Sequence, residues 1–184
     1  MSVKLHIKQI KPYKEISPSL DGKTLPVKFG IKVYDSSSLD ALREEYTSIA
    51  TNDNLELALA KLQKLEEAGD RTSEEYYTER NSLRSILESE TQIQKTKLED
   101  FYKQQVLFIK GASFEYEDAS GNLKDITVAD SRMVAPIESL WQDAEECLAV
   151  LLDTYFEIPA IKDSLSSKIV DTVLNLQLDE KVKN

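Results

Sequence analysis

The chain has few of the residues that usually reveal chemistry. One cysteine, Cys147, and one histidine, His6, occur in 184 residues. A lone cysteine cannot close a disulfide within the chain, nor supply the sulfur ligands of a structural zinc site. His6 has no second histidine or cysteine at ligand spacing, so it reads as an exposed strand residue and not as a metal ligand. Only five glycines are present; they form no phosphate-cradling loop, no GxSxG elbow occurs, and Cys147 has no histidine near it to act as a base. Long apolar runs are also missing, because Asp, Glu or Lys interrupts each stretch before it could span a bilayer. The opening "MSVKLHIKQIKPYKEI" alternates lysine with apolar residues and lacks the continuous apolar core of a secretory signal. Carboxylates are plentiful, yet pairs such as Glu66-Glu67, Glu74-Glu75 and Glu145-Glu146 fall on helical patterns among polar neighbours. That context describes a solvated face, whereas acid–base catalysis needs carboxyls held in a cleft. These absences predict a protein that is not an enzyme, holds no metal or cofactor, makes no membrane contact, and works in a reducing cytoplasm.

Bases are scarce relative to acids: 33 Asp and Glu stand against 23 Lys and Arg, a net charge of −10. This balance opposes general binding to nucleic acid or anionic lipid and favours a basic partner. The imbalance is unevenly placed. Met1 to Tyr34 carries seven lysines against Glu15 and Asp21, whereas Pro136 to Asp163 carries seven acids against Lys162 alone. The two regions attract one another, either within one molecule or head to tail between copies, so a homo-oligomer is one expected outcome.

What is present is periodicity. Val3, Leu5 and Ile7 alternate with polar residues, as do Val27, Phe29, Ile31 and Val33, and both segments read as half-buried strands. The connection between them contains Pro12, Pro18 and Asp21-Gly22, so it reads as long and irregular, with a tight turn of its own at "SLDGKT". Ser36, Ser37 and Ser38 offer N-caps to a helix carrying Leu39, Leu42, Tyr46 and Ile49. Thr51 to Asn54 breaks it, and Leu55, Leu59, Leu62 and Leu65 mark a second helix. Thr72 and Glu75 form a capping box for a third, which runs unbroken by Gly or Pro from Ser73 to Ile109. Its middle, "ESETQIQKTK", has only Ile93 as a large apolar residue, which predicts a solvated or bridging stretch. A hairpin follows, with strands around Phe114 to Tyr116 and Ile126 to Val128. Pro136 then opens a helix whose apolar residues Ile137, Trp141, Ala144, Leu148, Leu151, Tyr155 and Ile158 alternate in steps of four and three. Leu140, Cys147, Leu152 and Phe156 widen that stripe, which predicts a helix packed on two sides. Pro159 ends it and starts a last helix with Ile161, Leu165, Ile169, Val170, Val173 and Leu174.

The predicted fold class is helix-dominated α+β, a helical bundle with one small antiparallel β-sheet, in a single domain over 1–184. Its parts are a β element over 1–35, helices including the long one over 36–110, a hairpin over 111–130, a helix pair over 136–177 and a polar tail over 178–184. Leu148, Leu151 and Ile169 are expected in the core. Trp141, Tyr155 and Phe156 are the expected partner-binding anchors, since large aromatics give wide contact at little entropic cost.

The stretch from "FIKGASFEYEDASGNLKDITVADSRMVAPIESLWQDAEECLAVLLDTYFEIPAIKDSLSSKIVDTVLNL" onward, with the opening "DGKTLPVKFGIKVYDSSSLDALREEY", resembles the tail assembly chaperones of long-tailed bacteriophages in general layout. That resemblance implies a non-catalytic, helix-rich protein that multimerises in the host cytoplasm. Its partner would be the phage tape measure protein, or another helical protein, coated until tail tube subunits displace it. A second class fits the acidity alone: a phage-encoded acidic inhibitor or adaptor that binds a host protein.

Overall fold

The computed structural model describes residues 12–67, 71, 73–111, 114–117, 120–126 and 144–174. The strand expected at Val3–Ile7, with His6, lies outside the described residues, as do Thr72, the helix start from Pro136 through Trp141, and the polar tail. The fold is helix-dominated α+β. In chain order the elements are β1 (Tyr13–Ile16), β2 (Ser19–Leu20), β3 (Lys23–Thr24), β4 (Val27–Lys32), α1 (Ser36–Ala50), α2 (Asp53–Glu67), α3 (Glu74–Gln104), β5 (Val106–Gly111), β6 (Phe114–Glu117), β7 (Leu123–Ile126), α4 (Ala144–Phe156) and α5 (Pro159–Leu174). The chain divides into two compact units, Met1–Leu39 with Tyr102–Asn184 and Asp40–Phe101, where the sequence reading counted one domain.

The first unit is built on an antiparallel sheet in the order β1-β4-β5. Alternation in β4 turns Val27, Phe29 and Ile31 to one face, and all three are fully buried. Register places Ile16 and Ile109 on either side of Phe29, so one face of the sheet is a continuous apolar floor. Helix α5 packs over β2, β4 and β1, and α4 over β5 and α5. The side chains that cover the floor are spaced by four along α5: Ile161, Leu165, Ile169 and Val173, all buried. Polar pins hold α5 to the short β2–β3 hairpin. Ser19 N–H donates to Ser164 Oγ at 2.8 Å, and Lys168 Nζ donates to the Ser17 carbonyl at 2.6 Å and to Ser19 Oγ at 3.1 Å. The hairpin turns at Asp21 and Gly22 with φ of 50° and 76°, the two left-handed positions of a type I′ turn, as "SLDGKT" predicts. On the opposite sheet face, Gly30 lies beneath the Phe108 ring; a Cβ there would come within 2.2 Å of it, which is why a side chain cannot occupy that position.

Four differences from the sequence reading have physical causes. The connection before β4 is not irregular throughout, since Tyr13–Ile16 pairs with it as β1; the prolines at 12 and 18 bracket that strand without entering it. The long helix stops at Gln104 and not at Ile109. Gln105 is buried, its carbonyl accepts from Lys32 N–H at 2.9 Å, and its Oε1 accepts from Tyr34 Oη at 2.6 Å. The run "VLFIKG" after it pairs with β4, and a short apolar run of this kind has no period of its own to tell strand from helix. The described strands do not gather into one sheet, because among the described residues β6 pairs with β7 alone. Finally, the cap of α1 is Asp35 and not a serine: its Oδ1 accepts from Ser38 N–H at 2.8 Å and from Ser37 Oγ at 2.8 Å.

The second unit is helical. Helix α2 is capped by Asn52, whose Oδ1 accepts from the N–H groups of Asn54 at 3.1 Å and Leu55 at 3.2 Å. Helix α3 is capped by Ser73 Oγ, which accepts from Tyr76 N–H at 3.1 Å. Asn52 Nδ2 donates to Glu90 Oε2 at 3.0 Å, and Arg80 Nε lies 3.7 Å from Glu66 Oε1. The start of α2 thus meets a later part of α3 and its end an earlier part, so the two run antiparallel. Gln94 Nε2 closes the C-terminal end of α1 by donating to the Ile49 and Ala50 carbonyls at 3.2 and 2.6 Å. The polar middle of α3 is therefore used as well as solvated: Glu90 and Gln94 fasten the α1–α2 corner. Leu42, Ala58, Leu83 and Phe101 are buried here, and the Tyr46 and Phe101 rings lie 5.4 Å apart.

Candidate partner-binding surface

Helix α4 carries two of the three expected anchors, and the structure corrects the expectation that they stand open. Tyr155 is 0 % exposed and Phe156 4 %. The Tyr155 ring meets Phe29 edge-on at 5.1 Å, and its burial pushes the phenol above the ordinary tyrosine range. Lys103 lies over the Phe156 ring, 5.4 Å from its centroid, and pairs with Asp153 at 2.8 Å. The cause is visible in the spacing: adjacent residues on a helix point about 100° apart, and α4 has a neighbour on both of those sides. Trp141 lies outside the described residues. Of the expected core residues, Leu151 and Ile169 are buried and Leu148 is half-buried.

Apolar side chains that do stand open lie mainly on the second unit. Leu57 is 56 % exposed, Ile86 44 % and Ile93 43 %, with Leu59 and Tyr77 also exposed. On α2 the inward face centres on Ala58, with Leu55, Leu62 and Leu65 half-buried, while Leu57 and Leu59 are exposed. Between α2 and α3 runs a groove of about 660 Å³, where Lys61 faces Glu75, Thr78, Glu79, Ser82 and Leu83. Sequence reading named Leu59 as part of the helix's stripe and Ile93 as the apolar residue of a solvated or bridging stretch, but missed Leu57, Ile86 and the groove as a site. The signal was there in Leu57, which falls outside the Leu55, Leu59, Leu62, Leu65 stripe and so has no place in the helix's own core.

Two polar sites complete the survey. A cavity of about 390 Å³ at the α1–α2 corner is lined by Asn52, Asp53, Glu90 and Gln94 among others; the capping and corner bonds already given account for Asn52, Glu90 and Gln94. On the sheet, Lys28 and Lys110 are cross-strand partners, and both reach Glu15, Lys28 at 3.2 Å and Lys110 closer still. Glu15 separates two like charges that would otherwise repel, and the hydrogen bond from Lys110, with that from Lys28, holds its carboxyl below the usual range. This is a structural triplet with its charges internally answered. Among the described residues no group of three or more His, Cys, Asp or Glu is placed to hold a metal ion, and no helix is long and apolar enough to cross a membrane. No family model matches the chain, and no curated protein or solved structure matches it.

Proposed function

We propose that the chain is a non-catalytic tail assembly chaperone of a long-tailed bacteriophage, which binds the tape measure protein in the host cytoplasm and keeps it soluble while the tail is assembled. The observation that carries this reading is the partition of apolar surface. Aromatic side chains of α4 are closed into the first unit, while the second presents exposed Leu57, Ile86 and Ile93 on helices rich in acids. Exposed apolar groups among charges are how a soluble protein covers the apolar face of another without aggregating itself. The layout-level resemblance to tail assembly chaperones supplies the identity of the client. Co-expression with the protein encoded immediately downstream, followed by pull-down, tests the reading. The expected result is a helix-rich, tape-measure-like protein that co-purifies and stays soluble; a client that aggregates equally with and without this chain would sink it. Capture of a host protein instead would favour an acidic inhibitor or adaptor.

A further inference from the structure

We propose that the groove between α2 and α3 docks an amphipathic helix from a foreign protein, one with lysine or arginine along the edges of its apolar stripe; the identity of that protein rests on the chaperone reading above. Leu83 is buried at the groove. Leu57 lies one turn from Lys61 on the same face of α2, and Ile86 one turn beyond Ser82 on α3, so both extend the groove past its lined section. Ile93 follows Ile86 at seven residues, about 10 Å along the axis, the repeat at which a partner helix presents successive apolar side chains. Two antiparallel rods with apolar residues between them accept a third rod, and the anchors would sit at i, i+3 or i+4, and i+7 of the partner.

Charge fixes the partner's edges. Glu74, Glu75 and Glu79 stand at the groove with Lys61 as the one base in its lining. Over residues 40–101 there are fifteen acids against eight bases, so the field around the groove is negative as well as its rim. Such a rim favours cations flanking an apolar stripe and rejects carboxylates there, which gives selection of the right helix as well as faster encounter. Among the described residues no helix of this chain fits: α1, α2, α3 and α4 each carry more acids than bases, and α5 balances Lys162 and Lys168 against Asp163 and Asp171 with its apolar face already buried. None of these described helices is therefore the occupant, and the proposal commits to a helix of a foreign protein.

The test uses the full chain and two labelled synthetic peptides, each three heptads long with leucine at a and d, one with lysine and the other with glutamate at e and g. By fluorescence anisotropy the lysine peptide should bind, more weakly at high salt, and the glutamate peptide should not. Ile86→Asp, and the paired reversal Glu75→Lys with Glu79→Lys, should each weaken the lysine peptide by about tenfold or more, while Tyr77→Ala, which does not line the groove, leaves it unchanged. Should Ile86→Asp fail to fold, the paired reversal at two exposed positions decides alone. Equal binding of the two peptides, or groove variants that bind as the parent does, would overturn the proposal. The outcomes separate from those of the chaperone reading. Peptide binding without retention of the downstream client counts against the chaperone and supports the groove; client retention undiminished by the groove variants counts against the groove alone.

Discussion

Tyr155 and Phe156 show how little residue type alone decides between core and interface. Both are large aromatics on an acidic helix, which is the composition of an anchor, and both are closed in by neighbours that sequence spacing does not reveal: Phe29 on the sheet for one, and the Lys103 ammonium for the other. Their truncation should act on stability first. Tyr155→Ala and Phe156→Ala are each expected to cost about 3 to 5 kcal/mol by opening a cavity, read as a lowered denaturation midpoint with an unchanged slope. Leu57→Ala, at a side chain more than half exposed, should shift the midpoint little. An unfolding curve for Phe156→Ala that overlays the parent would show that the ring contributes no packing and would return it to the list of open anchors.

At the scale of elements, legibility followed period. The helices α1, α2 and α5 were readable because their apolar residues repeat at three and four, and the start of α5 because Pro159 can occupy only the first turn. The strand β4 was readable by alternation, and the β2–β3 turn by Asp21-Gly22. Where a segment takes its structure from a distant partner, the sequence was silent: β5 is a strand because β4 lies beside it and Gln105 is locked by Tyr34, and "YKEI" is β1 for the same reason. The candidate groove was illegible as a site, since it needs the antiparallel meeting of α2 and α3, though Leu57 out of step was a local clue. Caps were half-legible; a Ser run drew attention from Asp35, the better acceptor for being charged. That charge makes a prediction. The hydrogen bond from the Ser38 backbone, then those from the Ser38 and Ser37 side chains, lower the Asp35 pKa in the folded chain from 3.8. A group depressed on folding adds stability above its unfolded pKa and loses it as pH falls through the folded one. Asp35→Asn keeps an N-cap acceptor but not the charge favoured at a helix N-terminus. The parent should therefore melt higher than Asp35→Asn near neutral pH, with the gap starting to close as pH drops toward 3.8 and gone below the lowered value. A gap independent of pH would mean the charge contributes nothing.

Across the whole molecule the two units differ in how they are held. The first draws its sheet from both sides of a long excursion: β1 and β4 precede Asp40, β5 follows Phe101, and the helices that cover the floor come later still. Its buried side chains, among them Val27, Phe29, Ile31, Ile109, Ile161, Leu165 and Ile169, form one dense apolar core. The second is a run of local helices with few buried side chains among the described residues, Leu42, Ala58, Leu83 and Phe101, fastened by exposed or half-buried polar bonds. Local opening requires little where little is buried, whereas a strand in the middle of a sheet exchanges its amides only when the sheet as a whole unfolds. Native-state hydrogen exchange should accordingly find the slowest amides in β4 and α5, and exchange faster by orders of magnitude in α2 and the first half of α3. The same contrast bears on binding, because a helix laid into the α2–α3 groove orders the part of the chain that was loosest. Adding the lysine peptide should slow exchange in α2 and in α3 around Leu83 to Ile93 while leaving β4 unchanged. Uniform protection without peptide would refute the difference in holding, and protection confined to α4 on adding it would place the binding surface back on the helix whose aromatics are buried here.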